Sequence, residues 1–309
     1  MISMLTGVFY WILNMSIIGS ISGSVILALR KVKGIPRFPI YLLWSIVLIR
    51  MIIPFGITNE FSLVNQIAKF TTRTIPIRLS VPLPEISMSN FVMGANEYFP
   101  IMYKTKNLER IFGISSVIWI IITVAAMISA GLLYYFTKSE IRNARHMYGN
   151  IYESANVTTP TVYGILNPKI ILPVDIVENN IDYILAHEQI HIKRKDNLFR
   201  IVAILVACIH WFNPLVWIFL KCFLIDMELT CDSKVLKNLS ENEKKEYART
   251  LLDYSSDRQT FMSSAFGASK IKVRIENILS YKKLTIASGI FFTLLFISIV
   301  FVLLTNAKI

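Results

Sequence analysis

The residues best suited to chemistry in this sequence are two histidines and a glutamate in the stretch IDYILAHEQIHIKRKDN, residues 181–197. His187 and His191 are four residues apart, so on a helix their imidazoles project from the same face and can share one metal ion. Glu188 lies about 100° further round the helix, where it can reach a water molecule on that face without being a ligand. The spacing predicts a metal site with a general base, and the alternative is a polar helix with two solvated histidines.

A catalytic zinc ion takes three protein ligands and leaves one position open for water. The segment LIDMELTCDSKVL, residues 224–236, offers Glu228 and Asp232 one turn apart on a predicted helix. We expect Glu228 to be the third ligand and Asp232 to accept a hydrogen bond from the far nitrogen of a ligand histidine. By itself, this pair of carboxylates is typical of a solvated helix face. Its position downstream of the histidine pattern favours a role in the metal site. The predicted centre is one Zn²⁺ per chain, with three ligands and a catalytic base: His187, His191, Glu228 and Glu188.

The elements that must position this site belong to a chain of 309 residues, of which 54% are hydrophobic and clustered. A helix needs about 20 apolar residues to cross a bilayer. The N-terminal apolar segment has neither a basic n-region nor a small-residue cleavage site, so we interpret it as a retained helix. Arg50 is the one charge in the apolar segments, and it either faces neighbouring helices or snorkels, or has a signalling role. Four transmembrane helices are predicted: about 5–29, 38–57, 112–136 and 284–304.

Basic residues predict how these helices are oriented. The short segment 30–37 carries four basic residues and no acid, and further basic residues follow the third helix and precede the fourth. Because basic loops stay in the cytoplasm, we expect a multi-pass protein of the cell membrane with both termini and the loop 58–111 outside. Residues 137–283 are then cytoplasmic, and residues 284–309 form the fourth helix with a short outer tail. The net charge of +12 is explained by topology and anionic lipid, and we expect no direct binding of nucleic acid.

The cytoplasmic part is predicted to be an α+β domain. TPTVYGILNPKIILP, residues 159–173, reads as the strands TVYGI and KIILP around an Asn-Pro turn, and helices are expected at 178–195, 224–236 and 241–254. The stretch 255–280 has weak helical periodicity and is expected to stay extended or mobile. Asp196 or Asn197 is interpreted as the cap of the helix that follows, and Asp196 is expected to point away from His191. Cys208, Cys222 and Cys231 are interpreted as small apolar residues because their spacing fits neither disulfides nor a thiolate zinc site.

Residues 198–225 are apolar enough for a fifth transmembrane helix. A single crossing, however, would place Glu228 about 30 Å from the histidine pair, across the hydrocarbon layer. We therefore expect a membrane-associated segment that dips into the bilayer and returns near Asn213 and Pro214, or that lies on its inner face. His210 in this segment could stabilise an oxyanion or donate a proton. The more ordinary interpretation is an interfacial histidine beside Trp211.

The segments LAHEQIHIKRKDN, HWFNPLVW and DMELTCDSKVL occur here in the order and spacing of a known family. The chain resembles the integral-membrane zinc metallopeptidases typified by the beta-lactam-sensing signal transducers of penicillinase and methicillin resistance. The resemblance implies a gluzincin-like peptidase domain between helices 3 and 4, with His187, His191 and Glu228 as zinc ligands and Glu188 as the catalytic glutamate. It also implies that the chain cleaves itself and relieves a cytoplasmic winged-helix repressor.

One departure concerns the sensor. The sensing members continue past the fourth helix into an extracellular penicillin-binding domain acylated at a Ser-x-x-Lys serine, whereas this sequence ends at TNAKI. We interpret the tetrad at 280–283 as a coincidence, so we expect any signal to enter through the loop 58–111, through lipid or through a partner. A packing role suits that loop equally well. Two other functions stay open: a quality-control or processing protease without a dedicated repressor, and a non-catalytic envelope-sensing scaffold.

Overall fold

The computed structural model describes residues 2–32, 34–53, 58–59, 106–174, 181–256, 267–281, 286–304 and 306–307. It contains two compact units. The first comprises Met1–Met127, Leu205–Phe219 and Ile286–Ile309, and the second comprises Ile128–Ile204 and Leu220–Thr285. In chain order the helices are α1 (Ile2–Lys31), α2 (Arg37–Ile52), α3 (Lys106–Glu140), α4 (Ile181–Arg194), α5 (Asp196–Ile209), α6 (Pro214–Leu236), α7 (Glu241–Ser256), α8 (Gly267–Leu279) and α9 (Ile286–Leu304). The strands are β1 (Thr58–Asn59), β2 (Arg145–Tyr148), β3 (Ile151–Ser154), β4 (Thr161–Tyr163), β5 (Lys169–Pro173) and β6 (Asn306–Ala307).

The protein is mainly helical, and α1 and α3 are long and apolar enough to cross a membrane, over Met4–Lys31 and Arg110–Ser139. The apolar part of α9, Ser288–Leu304, is shorter. The predicted range 38–57 for the second transmembrane helix is wrong at its C-terminal end, because α2 stops at Ile52. Ile53 is extended, with φ −111° and ψ 116°, as expected of a residue that precedes a proline.

Arg50 is buried within the first unit, where 2% of its surface is exposed. Its Nε donates a hydrogen bond of 2.8 Å to the carbonyl oxygen of Leu303, in the last turn of α9. A positive charge at this position complements the partial negative charge of a helix C-terminus. Of the alternatives weighed for this arginine, the structure favours the one in which it faces a neighbouring helix.

The segment 198–225 is two helices, since α5 ends at Ile209 and α6 begins at Pro214. Asn213 caps α6: its side-chain oxygen accepts a hydrogen bond of 3.0 Å from the backbone N–H of Leu215. Proline suits the first helical position because no N–H is needed there. The predicted break near Asn213 and Pro214 is therefore confirmed, whereas the placement of the segment in a membrane stays a prediction.

The turn between α5 and α6 is hydrogen-bonded to three helices of the first unit. The amide nitrogen of Asn213 donates to two serine hydroxyls of α1, at 2.7 Å each. The indole of Trp119 on α3 donates to the carbonyl oxygen of Ile209 at 2.8 Å. His210 Nε2 donates to the carbonyl oxygen of Met51 on α2 at 3.1 Å. The bonds to Ile209 and Met51 satisfy carbonyl groups at helix ends, which lack intrahelical partners.

The second unit contains a four-stranded sheet of order β2-β3-β5-β4, in which β3 and β5 are parallel and the outer pairs are antiparallel. The two predicted strands are confirmed, although β4 ends at Tyr163 because Gly164 turns the chain with φ +98°. β2 and β3 were missed, since each has four residues and β2 is exposed throughout. One face of the sheet packs on α4 through a cluster of buried apolar residues: Ile151, Val162, Ile170, Leu172, Ile184 and Leu185.

The expectation that 255–280 stays extended or mobile is wrong for the residues that form α8. Residues 267–279 are helical, and the remaining part of that stretch, 257–266, lies outside the described residues. Ile278 is buried against Val235, Leu236 and Tyr247, so α8 packs on α6 and α7. Apolar residues at 271, 275 and 278 have helical spacing, and the polar composition before them concealed this short pattern.

The predicted outer loop 58–111 lies mostly outside the described residues. Its first two residues form β1, which pairs in parallel with β6 near the C-terminus, with Thr58 opposite Asn306. This pairing is compatible with the expectation that the loop and the C-terminal tail lie on the same side of a membrane.

Candidate metal centre

The two histidines of α4 face each other in the interior of the second unit. His187 is 5% exposed and His191 is 6% exposed, and their Nε2 atoms are 3.1 Å apart. The helix places both rings on one face because they are one turn apart. Two imidazole nitrogens that converge in this way suit a single metal ion.

Glu228 on α6 brings a carboxylate to the same place. Its Oε2 lies 3.4 Å from His187 Nε2 and 3.7 Å from His191 Nε2. Burial raises the pKa of Glu228, but hydrogen bonds to the two histidines and the charge of Arg274 outweigh this effect and hold the pKa well below its usual value. The side chain is 25% exposed, which leaves this side of the centre open, as a catalytic metal requires.

The far nitrogen of His191 is held by Asp196. His191 Nδ1 donates to Asp196 Oδ2 at 2.7 Å, the aspartate is fully buried, and Arg194 Nε donates to its other oxygen at 3.1 Å. The interpretation that Asp196 points away from His191 was therefore wrong. It assumed a continuous helix, whereas Lys195 adopts a left-handed conformation with φ 56° that ends α4 and swings the next residue back.

The far nitrogen of His187 lies near Asp232, as the sequence predicts, but a tyrosine lies between them. His187 Nδ1 is 3.3 Å from Asp232 Oδ1 and 2.9 Å from the hydroxyl of Tyr247 on α7. Burial lowers the pKa of His187, but the carboxylates of Asp232 and Glu228 outweigh it and raise the pKa to about 9. Because both Nδ1 atoms face hydrogen-bond acceptors, both Nε2 atoms are left as the ligand atoms.

Arg274 on α8 completes the charged surroundings of the site. Its Nε and Nη2 donate to the two oxygens of Asp232 at 2.8 and 2.7 Å, and its Nη1 lies 3.5 Å from Glu228 Oε2. Burial raises the pKa of Asp232, but the charge of Arg274 outweighs it and keeps the carboxyl ionised. The sequence analysis missed Arg274 and Tyr247, because neither has a fixed spacing from the histidine pair. The apolar residues at 271, 275 and 278 could have predicted the helix that carries Arg274.

Cys231 is a second possible third ligand. A ligand atom from each of His187, His191 and Cys231 lies within 4.8 Å of the others, and the cysteine is fully buried. Its thiol donates to the backbone carbonyl oxygen of His187 at 3.6 Å. The interpretation of this cysteine as a small apolar residue therefore omitted its position beside the site. Glu228 suits a catalytic site better, because its carboxylate is partly exposed and faces both Nε2 atoms.

The other two predicted site residues differ in their surroundings. Glu188 follows His187 on α4 and is 9% exposed, so the sequence position expected of a general base lies beside the ligand pair. His210 belongs to the first unit, where it is fully buried and its Nε2 hydrogen is committed to the carbonyl oxygen of Met51. The role of His210 as an oxyanion or proton donor stays a prediction that this hydrogen bond does not favour.

The first turn of α5, directly after α4, is hydrogen-bonded to the sheet. The amide nitrogen of Asn197 donates to the carbonyl oxygens of Val162 at 2.9 Å and Gly164 at 3.1 Å, along the edge strand β4. Asp196 and Asn197, at adjacent positions, thus bond to His191 and to the strand β4. A peptide that paired with β4 as an added strand would meet two acceptors that Asn197 already uses.

Comparison with known families shows the class of protein to which the chain belongs. The chain belongs to the BlaR1 peptidase M56 family, whose sequence profile matches residues 10–278. It is therefore a member of a metallopeptidase family, and the paired histidines with a nearby third donor are residues that could hold the metal such a family implies.

Similar proteins of known name include two regulatory proteins and a methicillin resistance protein. The chain is 35% identical over 159 residues to the regulatory protein BlaR1 of Bacillus licheniformis, covering 48% of this chain and 26% of that protein. It is 31% identical over 138 residues to the methicillin resistance mecR1 protein of Staphylococcus aureus, covering 41% and 24%. It is 26% identical over 272 residues to the regulatory protein BlaR1 of Staphylococcus aureus, covering 77% and 45%. The matches thus span less than half the length of each of these relatives.

Proposed function

We propose that this protein is a zinc-dependent membrane endopeptidase that acts in signal transduction by cleaving itself and a cytoplasmic winged-helix repressor. The observation that carries the proposal is the convergence of His187, His191 and Glu228, whose ligand atoms lie within 3.7 Å of one another. Two imidazole nitrogens and one carboxylate are a ligand set of catalytic zinc sites.

The residues around this set fit a hydrolytic role. When bound, zinc would polarise the scissile carbonyl and acidify water. Glu188 takes a proton from the attacking water and returns it to the leaving amine nitrogen, so one carboxylate serves as base and then as acid. Asp196 and Tyr247 hold the Nδ1 hydrogens of the two histidines and so direct both Nε2 atoms to the metal.

The regulatory part of the proposal is supported by the relatives, two of which are named regulatory proteins. Self-cleavage and a winged-helix repressor as substrate are carried over from the family resemblance. A quality-control or processing protease would use the same metal centre without a dedicated repressor. A repressor gene beside the gene for this chain favours the first function, and its absence favours the second. Zinc in the purified protein argues against a non-catalytic scaffold.

Self-cleavage provides a direct test. We place the cut within 258–270, so expressed protein, purified in detergent, is expected to yield a C-terminal fragment that contains α9. Treatment with a chelator should stop further fragment formation, and added zinc should restore it. Immunoblotting with a C-terminal tag follows the fragment. Fragment formation that continues at the same rate in the chelator would reject metal-dependent self-cleavage.

We also propose four transmembrane helices with a cytoplasmic peptidase domain between the third and fourth. The basic residues beside the apolar segments support this orientation. Single cysteines at Lys169 and Lys237, both exposed, flank the α5–α6 segment in a chain whose native cysteines are replaced by alanine. Both are expected to resist a membrane-impermeant thiol reagent in intact cells and to react after lysis.

The labelling pattern distinguishes the possible topologies. Labelling of the cysteine at 237 alone in intact cells would show that 198–225 crosses the membrane, and labelling of both would invert the proposed orientation. A cysteine introduced at an outer position of the loop 58–111 serves as the positive control for the reagent.

A further inference from the structure

A chain of hydrogen bonds runs from α8 to a ligand histidine. Arg274 forms a bidentate interaction with Asp232, in which Nε donates at 2.8 Å and Nη2 donates at 2.7 Å. Such a fork fixes the rotation of a carboxylate as well as its position, because both donors lie in one rigid plane. Asp232 is fully buried and Arg274 is 17% exposed, so the contact is largely shielded from water.

Tyr247 carries this orientation onward to His187. The tyrosine hydroxyl donates to Asp232 Oδ1 at 2.6 Å, so its single hydrogen is used there. The same oxygen can then only accept, and it lies 2.9 Å from His187 Nδ1. The direct distance from Nδ1 to Asp232 is longer, at 3.3 Å. The acceptor of the His187 ring is thus a neutral hydroxyl, whereas His191 has the carboxylate of Asp196.

We propose that Arg274 and Tyr247 are positioning residues: Arg274 fixes Asp232, and Tyr247, which donates to Asp232, sets the orientation of the His187 ring. Helix α8 then completes a metal centre whose recognisable sequence pattern lies on α4 and α6. The proposal deepens the proposed function and rests on it for the identity of the metal. The proposed role of Arg274 depends on the planar geometry of its guanidinium group and not on its charge alone.

The packing of α8 separates this role from simple support of the fold. Ile278 is 1% exposed and packs in the cluster that includes Val235 and Leu236 of α6. Tyr281, just beyond the end of α8, packs against the same cluster. Helix α8 therefore has an apolar anchor besides Arg274, and we expect it to stay docked when the guanidinium is removed.

Cobalt binding provides the test, because the visible spectrum of bound Co²⁺ reports the geometry of its ligands. In full-length protein in detergent, Arg274→Ala and Tyr247→Phe are each expected to weaken Co²⁺ binding by about 10- to 100-fold, measured by chelator competition, and to alter the spectrum. Arg274→Lys should recover only part of the affinity, because an ammonium does not reproduce the fork. Lys272→Ala is the matched control: this lysine is on the same helix with a side chain 78% exposed, and its loss should change neither quantity.

The results distinguish a failure of the positioning role from a failure of the proposed metallopeptidase function. If the wild-type chain binds no metal ion, the proposed function fails. If it binds cobalt and Arg274→Ala keeps wild-type affinity and spectrum, the positioning role of Arg274 is wrong. If Arg274→Ala does not fold, as judged by circular dichroism and gel filtration, Tyr247→Phe decides. Unchanged binding and spectrum in that variant would show that Tyr247 does not orient the ring.

Discussion

Replacing Glu188 with glutamine is expected to lower the rate of proteolysis by about 10²- to 10⁴-fold while the protein keeps its metal. The amide has nearly the same size as the carboxylate but does not accept a proton, and Glu188 is not one of the proposed ligands. Fragment formation in purified protein and elemental analysis of zinc measure the two quantities on the same sample.

Asp182→Asn is the matched control for this variant. Asp182 lies on the same helix, is exposed, and loses the same charge in the same kind of substitution. We expect its cleavage rate to stay close to that of the wild type. If the fragment forms at the wild-type rate in Glu188→Gln, another protease produces it, and self-cleavage by this chain is wrong.

Replacing Glu228 with alanine is expected to reduce the zinc content from about one ion per chain to almost none, whereas Cys231→Ala should keep nearly all of it. Glu228 Oε2 faces the Nε2 atoms of both histidines, at 3.4 and 3.7 Å. The thiol of Cys231 instead points to the backbone carbonyl oxygen of His187. Elemental analysis after gel filtration in metal-free buffer gives the zinc content.

The two variants are informative as a pair. Zinc that is retained in Glu228→Ala and lost in Cys231→Ala would identify a thiolate as the third ligand and reject Glu228 in that role. Circular dichroism shows whether either substitution disturbs the helices. Ser233→Ala, on the same helix, is a control for small changes in α6.

The convergence of the candidate metal donors could be predicted from the sequence because their arrangement follows from helix periodicity. His187 and His191 lie on one face by their spacing alone, and Asp232 lies one turn beyond Glu228 on the same helix. If residues of α4 and α6 bind one metal ion together, these two helices must also lie close to each other. That assumption predicted the turn near Asn213, and Asn213 does cap the helix that begins there.

The partners of the donors could not be predicted in the same way. Asp196 reaches His191 through one left-handed residue, Lys195, whose type does not favour that conformation. Tyr247 and Arg274 arrive from two later helices, and their positions depend on packing against α6. The end of α2 at Ile52 was in principle predictable, because Pro54 disfavours helical backbone at the residue before it.

The turn between α5 and α6 has a consequence for how the protein is made. Its hydrogen-bond partners lie on α1, α2 and α3, all of which precede it in the chain. During synthesis from the N-terminus, these three helices have left the ribosome before residues 210–213 emerge. Every partner of the turn on α1, α2 and α3 is therefore synthesised before the turn itself emerges, so its polar groups need not wait for a later part of the chain.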